Sequence, residues 1–482
     1  MCSLSLLLAA GFWCLSTVAA TATRPDKIYG VNLGSWLLIE NWMLPAEWER
    51  MGGERCDDCS TCISSEFEFA KAYPDTVDEM FEEHWNTWFN QNDVDELVSL
   101  GINTVRIPLG YWIVESLVNR DLEFFPRGGI NQLARGLKQL KEAGIVAILD
   151  HHALPGAAAI NQLFAGQCTN SPQFYHRFNY NRALIWAAVM TGLSHLHPDF
   201  STVFSIHAIN EPIMNASRTP GHGDYQRKFV KTVRAMESLL GIGTFDGTYK
   251  AKRGEDLLYI SVDVGLAFSS STKENCPFGD VCDVIIEALP ILGEVLDQLG
   301  SLELSSVFGL VGQPPLETNF MDVTWQYNNP PNAADIAMGP QSYDNHLYYN
   351  FGGVADPNPK AYLTHLCNLD RVENAVKNRN VPLWFGEWSL ATNFNETNTT
   401  DAFLRDWADA QKLQYGKDAG WIFWNFKIEN STLAGETARQ WSYTEGVRRG
   451  YFTRDPAAYH NASVCEQYII RNSTTNSTSS SA

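Results

Sequence analysis

The sequence predicts a (β/α)8 TIM barrel with long loop insertions, and three observations lead to this fold class. Eight short runs rich in apolar and β-branched residues recur along the chain, and most precede a stretch with helical spacing. Acidic residues end two of these runs, as in parallel barrels. No glycine-rich phosphate-binding motif follows the first run, which disfavours an open nucleotide-binding sheet. The predicted strands are 28–34, 104–110, 146–152, 203–211, 257–264, 342–349, 382–387 and 421–426.

The two ends of the chain differ from the rest in composition. Residues 4–18 form an apolar run that Ala19 and Ala20 follow, which predicts a signal peptide over residues 1–20. A membrane anchor is the alternative, but the run is short for a bilayer. A single barrel domain is expected over 21–465, and a Ser/Thr/Asn-rich tail over 466–482.

The net charge of −20 argues against nucleic acid and anionic membrane surfaces as partners, and we expect a monomer. Eight cysteines follow the signal peptide, and an even number in a secreted chain predicts disulfides of undetermined pairing. The alternative of zinc at Cys56-x-x-Cys59-x-x-Cys62 lacks a second pair or a suitably spaced histidine, so we expect no metal and no cofactor. The eight are Cys56, Cys59, Cys62, Cys168, Cys276, Cys282, Cys367 and Cys465.

Two segments are longer than barrel connections require. Insertions are predicted near 45–78, which holds the cysteine cluster, and near 266–341. Residues 285–302, within the latter insertion, have helical spacing, with Pro290 expected in the first turn of that helix. Long loops at the carboxyl end of a barrel shape the cleft, so both insertions are expected to border the site.

Two glutamates end predicted strands that are far apart in the sequence. Glu211 follows Asn210 and precedes Pro212, and Glu387 follows Gly386. Two converging carboxyls are what glycoside hydrolysis needs, because one gives a proton to the leaving oxygen and the other attacks or activates water. The alternative for each is an acid that caps the next helix.

Basic residues end the second and third predicted strands. Arg106 is expected to hold an ionised carboxylate by charge-assisted hydrogen bonds and to keep its pKa low. A structural ion pair is the alternative. Asp150-His151-His152 offers a histidine to sugar hydroxyls, and its composition also resembles a metal site.

Two further strand ends carry aromatic and hydrogen-bonding residues. His346 and Tyr348 are two residues apart and so face the same side, where we expect Tyr348 beside Glu387 and His346 beside Glu211. Core filling is the alternative. Among fifteen tryptophans, Trp424 and then Trp388 are expected to bind sugar.

Eight motifs between residues 28 and 430 carry a family resemblance. The chain resembles glycoside hydrolase family 5, a retaining (β/α)8 family, and within it the fungal exo-β-1,3-glucanases and their β-1,6-glucanase relatives. The motifs are Gly30-Val31-Asn32-Leu33-Gly34-Ser35-Trp36, His84-Trp85-x-x-Trp88, Asn103-x-Val105-Arg106-Ile107-Pro108-x-Gly110-Tyr111-Trp112, Asp150-x-His152-x-x-Pro155-Gly156, Asn210-Glu211-Pro212, His346-x-Tyr348, Gly386-Glu387-Trp388 and Gly420-Trp421-x-Phe423-Trp424.

The resemblance implies a role for each matching residue. It implies that Glu387 is the nucleophile, that Glu211 is the acid/base and that Glu40 binds glucose. The other site residues that it implies are Arg106, His152, Asn210, His346, Tyr348 and Trp424.

The sequence therefore predicts a secreted retaining β-glucan hydrolase, located extracellularly or at the cell wall. We expect cleavage of β-1,3-glucan from the non-reducing end by double displacement, with carboxyls about 5–5.5 Å apart. An endo-β-1,6-glucanase is the alternative, followed by action on cellulose or mannan. A non-catalytic wall-binding protein is the alternative from another class, and intact Glu211 and Glu387 disfavour it. Transglycosylation would use the same intermediate.

Overall fold

The computed structural model describes residues 21–242, 276–300, 313–325, 332–394 and 399–470. Within them, eight parallel strands close into a barrel in which each strand pairs with its neighbours in sequence order and β8 pairs with β1. The (β/α)8 fold class is confirmed. The strands are β1 (Ile28–Asn32), β2 (Thr104–Gly110), β3 (Val146–Ala153), β4 (Val203–His207), β5 (Glu317–Met321), β6 (Gln341–His346), β7 (Leu383–Glu387) and β8 (Gly420–Phe423).

The fifth strand lies elsewhere than the sequence predicts. The barrel closes with Glu317–Met321 between β4 and β6, inside the segment expected to be an insertion. The assignment of the fifth strand to 257–264 is therefore wrong, and those residues lie outside the described part of the chain. The predicted signal peptide over 1–20 also lies outside it, as do residues 471–482 of the predicted tail over 466–482.

Amphipathic helices surround the barrel. On α5 the buried residues Ile130, Leu133, Leu137 and Leu140 recur at helical spacing, which places one apolar face on the sheet. The helices within the described ranges are α1 (Pro45–Met51), α2 (Glu66–Ala72), α3 (Val77–Trp88), α4 (Gln91–Ser99), α5 (Ile130–Glu142), α6 (Arg177–Leu196), α7 (His222–Leu239), α8 (Cys282–Gln298), α9 (Pro359–Cys367), α10 (Arg371–Lys377), α11 (Asp401–Tyr415), α12 (Thr437–Trp441) and α13 (Tyr443–Arg448). Pro290 lies in the middle of α8, so its predicted place in a first turn is wrong. No described helix is long and apolar enough to span a membrane.

The barrel interior changes from apolar to polar along the strands. Phe204 of β4 packs against Trp384 of β7, with ring centroids 6.2 Å apart, although the two strands are not neighbours. Because the strands are not neighbours, the two rings must meet inside the barrel. The apolar side chains at this level fill the amino end of the barrel. Further along the strands, the buried side chains are polar or charged: Asn32, Arg106, Asp150, His207 and Asp344.

The eight cysteines expected in the mature chain form four disulfides: Cys56–Cys62, Cys59–Cys168, Cys276–Cys282 and Cys367–Cys465. The three clustered cysteines are thereby disulfide-bonded, which leaves no thiolates there for zinc. Cys59–Cys168 ties the insertion after β1 to the loop after β3, and both loops lie at the carboxyl end of the barrel.

Candidate active site

Arg106 lies at the base of the site, where its buried guanidinium joins several strands. Its Nη1 donates to Glu387 Oε1 at 2.8 Å and to Asn32 Oδ1 at 3.1 Å, and Nη2 donates to Asn210 Oδ1 at 2.8 Å. Burial alone would lower the pKa of Arg106, but the charges of Asp150, Glu387 and Asp344 outweigh it and raise the pKa. The site is thus built on a permanently charged cation.

Glu387 is the last residue of β7 and is held at both carboxylate oxygens. Oε1 accepts from Arg106, and Oε2 accepts from Tyr348 Oη at 2.8 Å. Gly386 permits this position, because a Cβ there would collide with the Asp344 carboxylate. Burial raises the pKa of Glu387, although His346 and Arg106 act in the opposite direction. The expectation that Arg106 keeps this pKa low is therefore wrong, because burial outweighs the cations.

Glu211 lies in the loop after β4, four residues beyond the end of the strand. Its backbone has a φ of 37°, a left-handed conformation that few non-glycine residues adopt. Oε1 is 2.7 Å from His346 Nδ1. One carboxylate oxygen of Glu211 lies within 4.8 Å of one of Glu387, so the two acids face the same small space.

His346 lies between the two glutamates. Its Nδ1 is 2.7 Å from Glu211 Oε1 and 3.5 Å from Glu387 Oε2. Burial acts to lower the pKa of His346, but the charges of Glu387 and Asp344 outweigh it and raise the pKa to about 10. A protonated His346 can donate to the carboxylates beside it, so the three side chains are arranged to share protons.

His152 and Asn210 form a second hydrogen-bonded pair beside Arg106. His152 Nδ1 is hydrogen-bonded to Asp150 Oδ2, and its Nε2 lies 3.4 Å from Asn210 Nδ2. Asp150 is anchored in turn by Arg106 at 3.1 Å. The neighbouring His151 faces the other side of the strand, where it stacks on Trp186 with a centroid separation of 4.0 Å. The doublet therefore does not form a metal site with Asp150.

Trp424 and Glu40 border the same pocket. The Trp424 ring stacks on His152 with a centroid separation of 5.6 Å and an interplanar angle of 18°. Glu40 accepts a hydrogen bond from Trp42 Nε1 at 3.0 Å. Burial raises the pKa of Glu40 to about 7 despite the opposing effect of His152. The charges of Glu387 and Glu211 also raise it, so Glu40 lies within electrostatic reach of both acids.

The structure thus brings together all nine residues that the sequence singled out for the site. Trp388 is an exception among the expected sugar-binding tryptophans, because it is fully buried against Trp421 and Phe423. Sequence reasoning missed Trp441, which packs on Tyr348 and Trp42 at 5.5 and 5.1 Å between ring centroids. It lies on α12, and no strand-end pattern marks it.

Most of the chain matches a known family of enzymes. A family model described as "Cellulase (glycosyl hydrolase family 5)" matches residues 71–430. The chain is 28% identical over 474 residues to glucan endo-1,6-beta-glucosidase B of Emericella nidulans, covering 95% of this chain and 93% of that protein. It is 26% identical to a probable glucan endo-1,6-beta-glucosidase B of Aspergillus terreus, covering 92% and 90%.

Two other similar proteins extend the comparison. A probable glucan 1,3-beta-glucosidase A of Aspergillus fumigatus is 27% identical, covering 54% of this chain and 63% of that protein. Among solved structures, rutinosidase from Aspergillus niger aligns with a TM-score of 0.56 at 19% identity, covering 89% of this chain and 100% of that one. At 19% identity, the similarity to rutinosidase shows a shared fold.

Proposed function

We propose that this chain, which belongs to glycoside hydrolase family 5, is a retaining endo-β-1,6-glucanase. Its relatives are named as enzymes that hydrolyse glucans. The observation that carries the chemistry is the pair of carboxylate oxygens of Glu211 and Glu387 within 4.8 Å of each other. Retaining enzymes have carboxyls about 5–5.5 Å apart, whereas inverting enzymes leave about 6.5–9.5 Å for a water molecule.

Glu387 is proposed as the nucleophile. Arg106 and Tyr348 each donate to one of its oxygens, so the carboxylate is oriented before the sugar arrives. Attack on the anomeric carbon forms a glycosyl ester and transfers negative charge away from the carboxylate. Arg106 stabilises the carboxylate again when water releases the sugar.

Glu211 is proposed as the acid/base. It gives a proton to the leaving oxygen in the first step and takes one from water in the second. The contact with His346 at 2.7 Å holds the carboxyl in place and offers it a proton-sharing partner between the two steps. Asn210, His152, Glu40 and Trp424 are proposed to bind the sugar whose bond is broken.

The β-1,6 linkage is supported by the relatives named for it, because they align with 95% and 92% of this chain. The relative named for β-1,3 action aligns with 54%. Exo-acting β-1,3-glucan hydrolysis, the first choice from the sequence, is the second candidate. It is favoured by Glu40, a buried acid beside the site at the position that the resemblance to exo-glucanases implies to bind glucose.

The remaining expectations are kept as proposals. We propose a signal peptide over residues 1–20, a catalytic domain over 21–465 and a monomeric enzyme outside the cell. The four disulfides support an oxidising environment.

Product analysis on two polymers tests the proposal. Linear β-1,6-glucan and linear β-1,3-glucan are each incubated with the enzyme, and products are separated by chromatography over time, with Glu387→Gln as the inactive control. A ladder of β-1,6 oligomers in the first minutes is expected. Glucose alone from the β-1,3 polymer would replace the proposal with the second candidate, and an α-configured first product would overturn the retaining mechanism.

A further inference from the structure

Residues 54–66, the cysteine insert, follow α1 and end on the first residue of α2. They take no part in the proposed mechanism. Its own disulfide, Cys56–Cys62, closes a short loop, and Cys59–Cys168 fixes it to the loop after β3. Two covalent links in so short a segment restrict the positions that it can take.

The cysteine insert holds both chain neighbours of Glu40. Glu66 Oε1 accepts a hydrogen bond from the backbone N–H of Ile39 at 2.7 Å. Asn41 Nδ2 donates to the carbonyl oxygen of Ser64 at 2.8 Å. Glu40, lying between these two anchors, is also held from within its own loop, where its N–H donates to Ser35 Oγ at 3.0 Å. The backbone on both sides of Glu40 is therefore held in place.

The same insert is also fixed to the loop after β3, which contacts His152. Cys168 belongs to the loop after β3, and the N–H of Phe67, the residue after the insert, donates to the carbonyl of Gly166 in that loop at 3.1 Å. Phe164 of this loop contacts His152 edge-on, with ring centroids 5.5 Å apart. One rigid segment thus sets the positions of Glu40 and of the ring against His152.

Glu66 is suited to this task by its surroundings. It is fully buried, and burial raises its pKa to about 8 although the hydrogen bond from Ile39 acts against this. In mildly acidic solution the side chain is therefore neutral. Glutamine keeps its shape and the acceptor oxygen for Ile39, but it places an amide nitrogen on the oxygen that Trp112 contacts.

We propose that the cysteine insert is a specificity-determining element of the sugar pocket, with Glu66 as the positioning residue that holds Glu40 against the bound sugar. The inference rests on the proposed function, because it takes Glu40 as a sugar-binding residue. Glu66 acts through Ile39 and Glu40, without contacting the reacting atoms.

The test is to measure KM and kcat of Glu66→Ala and Glu66→Gln at pH 5.5. The substrate is whichever of the two polymers the wild-type enzyme cleaves. The control is Glu79→Gln, which changes an exposed acid on α3. Glu66→Ala is expected to raise KM roughly tenfold, as the loss of one buried hydrogen bond predicts, with kcat changed by less than about threefold. Glu66→Gln and Glu79→Gln are expected to retain the wild-type KM. Asn41→Ala removes the second anchor and is expected to raise KM in the same way, which keeps the test valid if Glu66→Ala does not fold.

Two results would overturn the proposal. A wild-type KM in a folded Glu66→Ala or Asn41→Ala enzyme, even with a lowered melting temperature, would leave the insert a purely structural role. An increase in KM in Glu66→Gln as large as in Glu66→Ala would show that the acceptor for Ile39 is not what matters. Failure of the wild-type enzyme on both polymers would instead reject the proposed function, so the two failures are distinguishable.

Discussion

The surroundings of Glu387 and Glu211 differ, although the two carboxyls face the same space. Glu387 ends a strand, its side chain is 6% exposed, and Arg106 and Tyr348 donate to its two oxygens. Glu211 lies in a loop, its side chain is 19% exposed, and His346 contacts one of its oxygens. One acid is fixed from two sides, whereas the other is held at one point and open to solvent.

This difference matches the two tasks of a double displacement. A nucleophile must meet one carbon atom at one angle, so a fixed carboxylate on a strand is an advantage. An acid/base must serve a leaving oxygen first and a water molecule later, so access from solvent is required. His346 contacts both acids, with its Nδ1 2.7 Å from Glu211 Oε1 and 3.5 Å from Glu387 Oε2.

The largest expected effect is that of replacing the fixed acid. Glu387→Gln keeps the shape of the side chain but removes the nucleophile, so kcat should fall roughly 10⁴-fold or more on every substrate. The rates on a glucan and on a dinitrophenyl β-glucoside are measured side by side, with Glu79→Gln as the control. A variant that keeps more than a tenth of the wild-type rate would remove Glu387 from its role.

Replacing Glu211, the partly exposed acid, should lower the hydrolysis rate by a factor that depends on the leaving group. Glu211→Gln is expected to slow glucan hydrolysis about 10²–10⁴-fold, because a sugar alkoxide needs a proton to depart. Dinitrophenolate needs none, so a dinitrophenyl β-glucoside should show a rapid burst of one product per enzyme, followed by slow turnover. Stopped-flow absorbance measures this burst. Equal losses on both substrates without a burst would contradict the assignment of Glu211.

A smaller effect is expected from loosening the fixed acid at one oxygen. Tyr348→Phe removes the hydrogen bond to Glu387 Oε2 but leaves Arg106 on Oε1, so kcat should fall roughly 10–100-fold. The exposed ring of Phe351, which contacts Tyr348 at 5.8 Å between centroids, offers a neighbouring control in Phe351→Leu. If Tyr348→Phe retained the wild-type kcat, the fixation of Glu387 would be unimportant for the rate.

The strand-end acids were predictable because parallel barrels gather the carboxyl ends of strands at one face. That rule needs only approximate strand positions, and it pointed to Glu211 and Glu387 without any contact information. Arg106 does not end its strand as predicted, because it is the third residue of β2 (Thr104–Gly110). The error on Trp388 came from neglecting alternation, since the residue after an inward-facing Glu387 faces the surrounding helices. Trp441 could not be found, because only the packing of α12 brings it to the site.

The fifth strand shows where composition misleads. Residues 257–264 are rich in apolar and β-branched residues, whereas the strand Glu317–Met321 begins with Glu317, Thr318 and Asn319. Thr318 and Asn319 are nevertheless buried, and Asn319 donates to Ser342 on the next strand. A strand that contributes polar side chains to a polar barrel interior lacks the apolar signature on which such predictions depend.

A third carboxylate, Glu40, sharpens the comparison because burial is the largest influence on its pKa, as it is for Glu387. The pKa of Glu40 is raised to about 7, so between about pH 4.5 and 7 the folded protein binds a proton that the unfolded chain has released. The free energy of unfolding should therefore fall over this range as pH rises, and Glu40→Gln should reduce the fall by about 1–3 kcal/mol. Urea denaturation at pH 5 and pH 7.5 measures both proteins. Equal falls in the two proteins would mean that Glu40 is ionised at both pH values, so that burial does not raise its pKa.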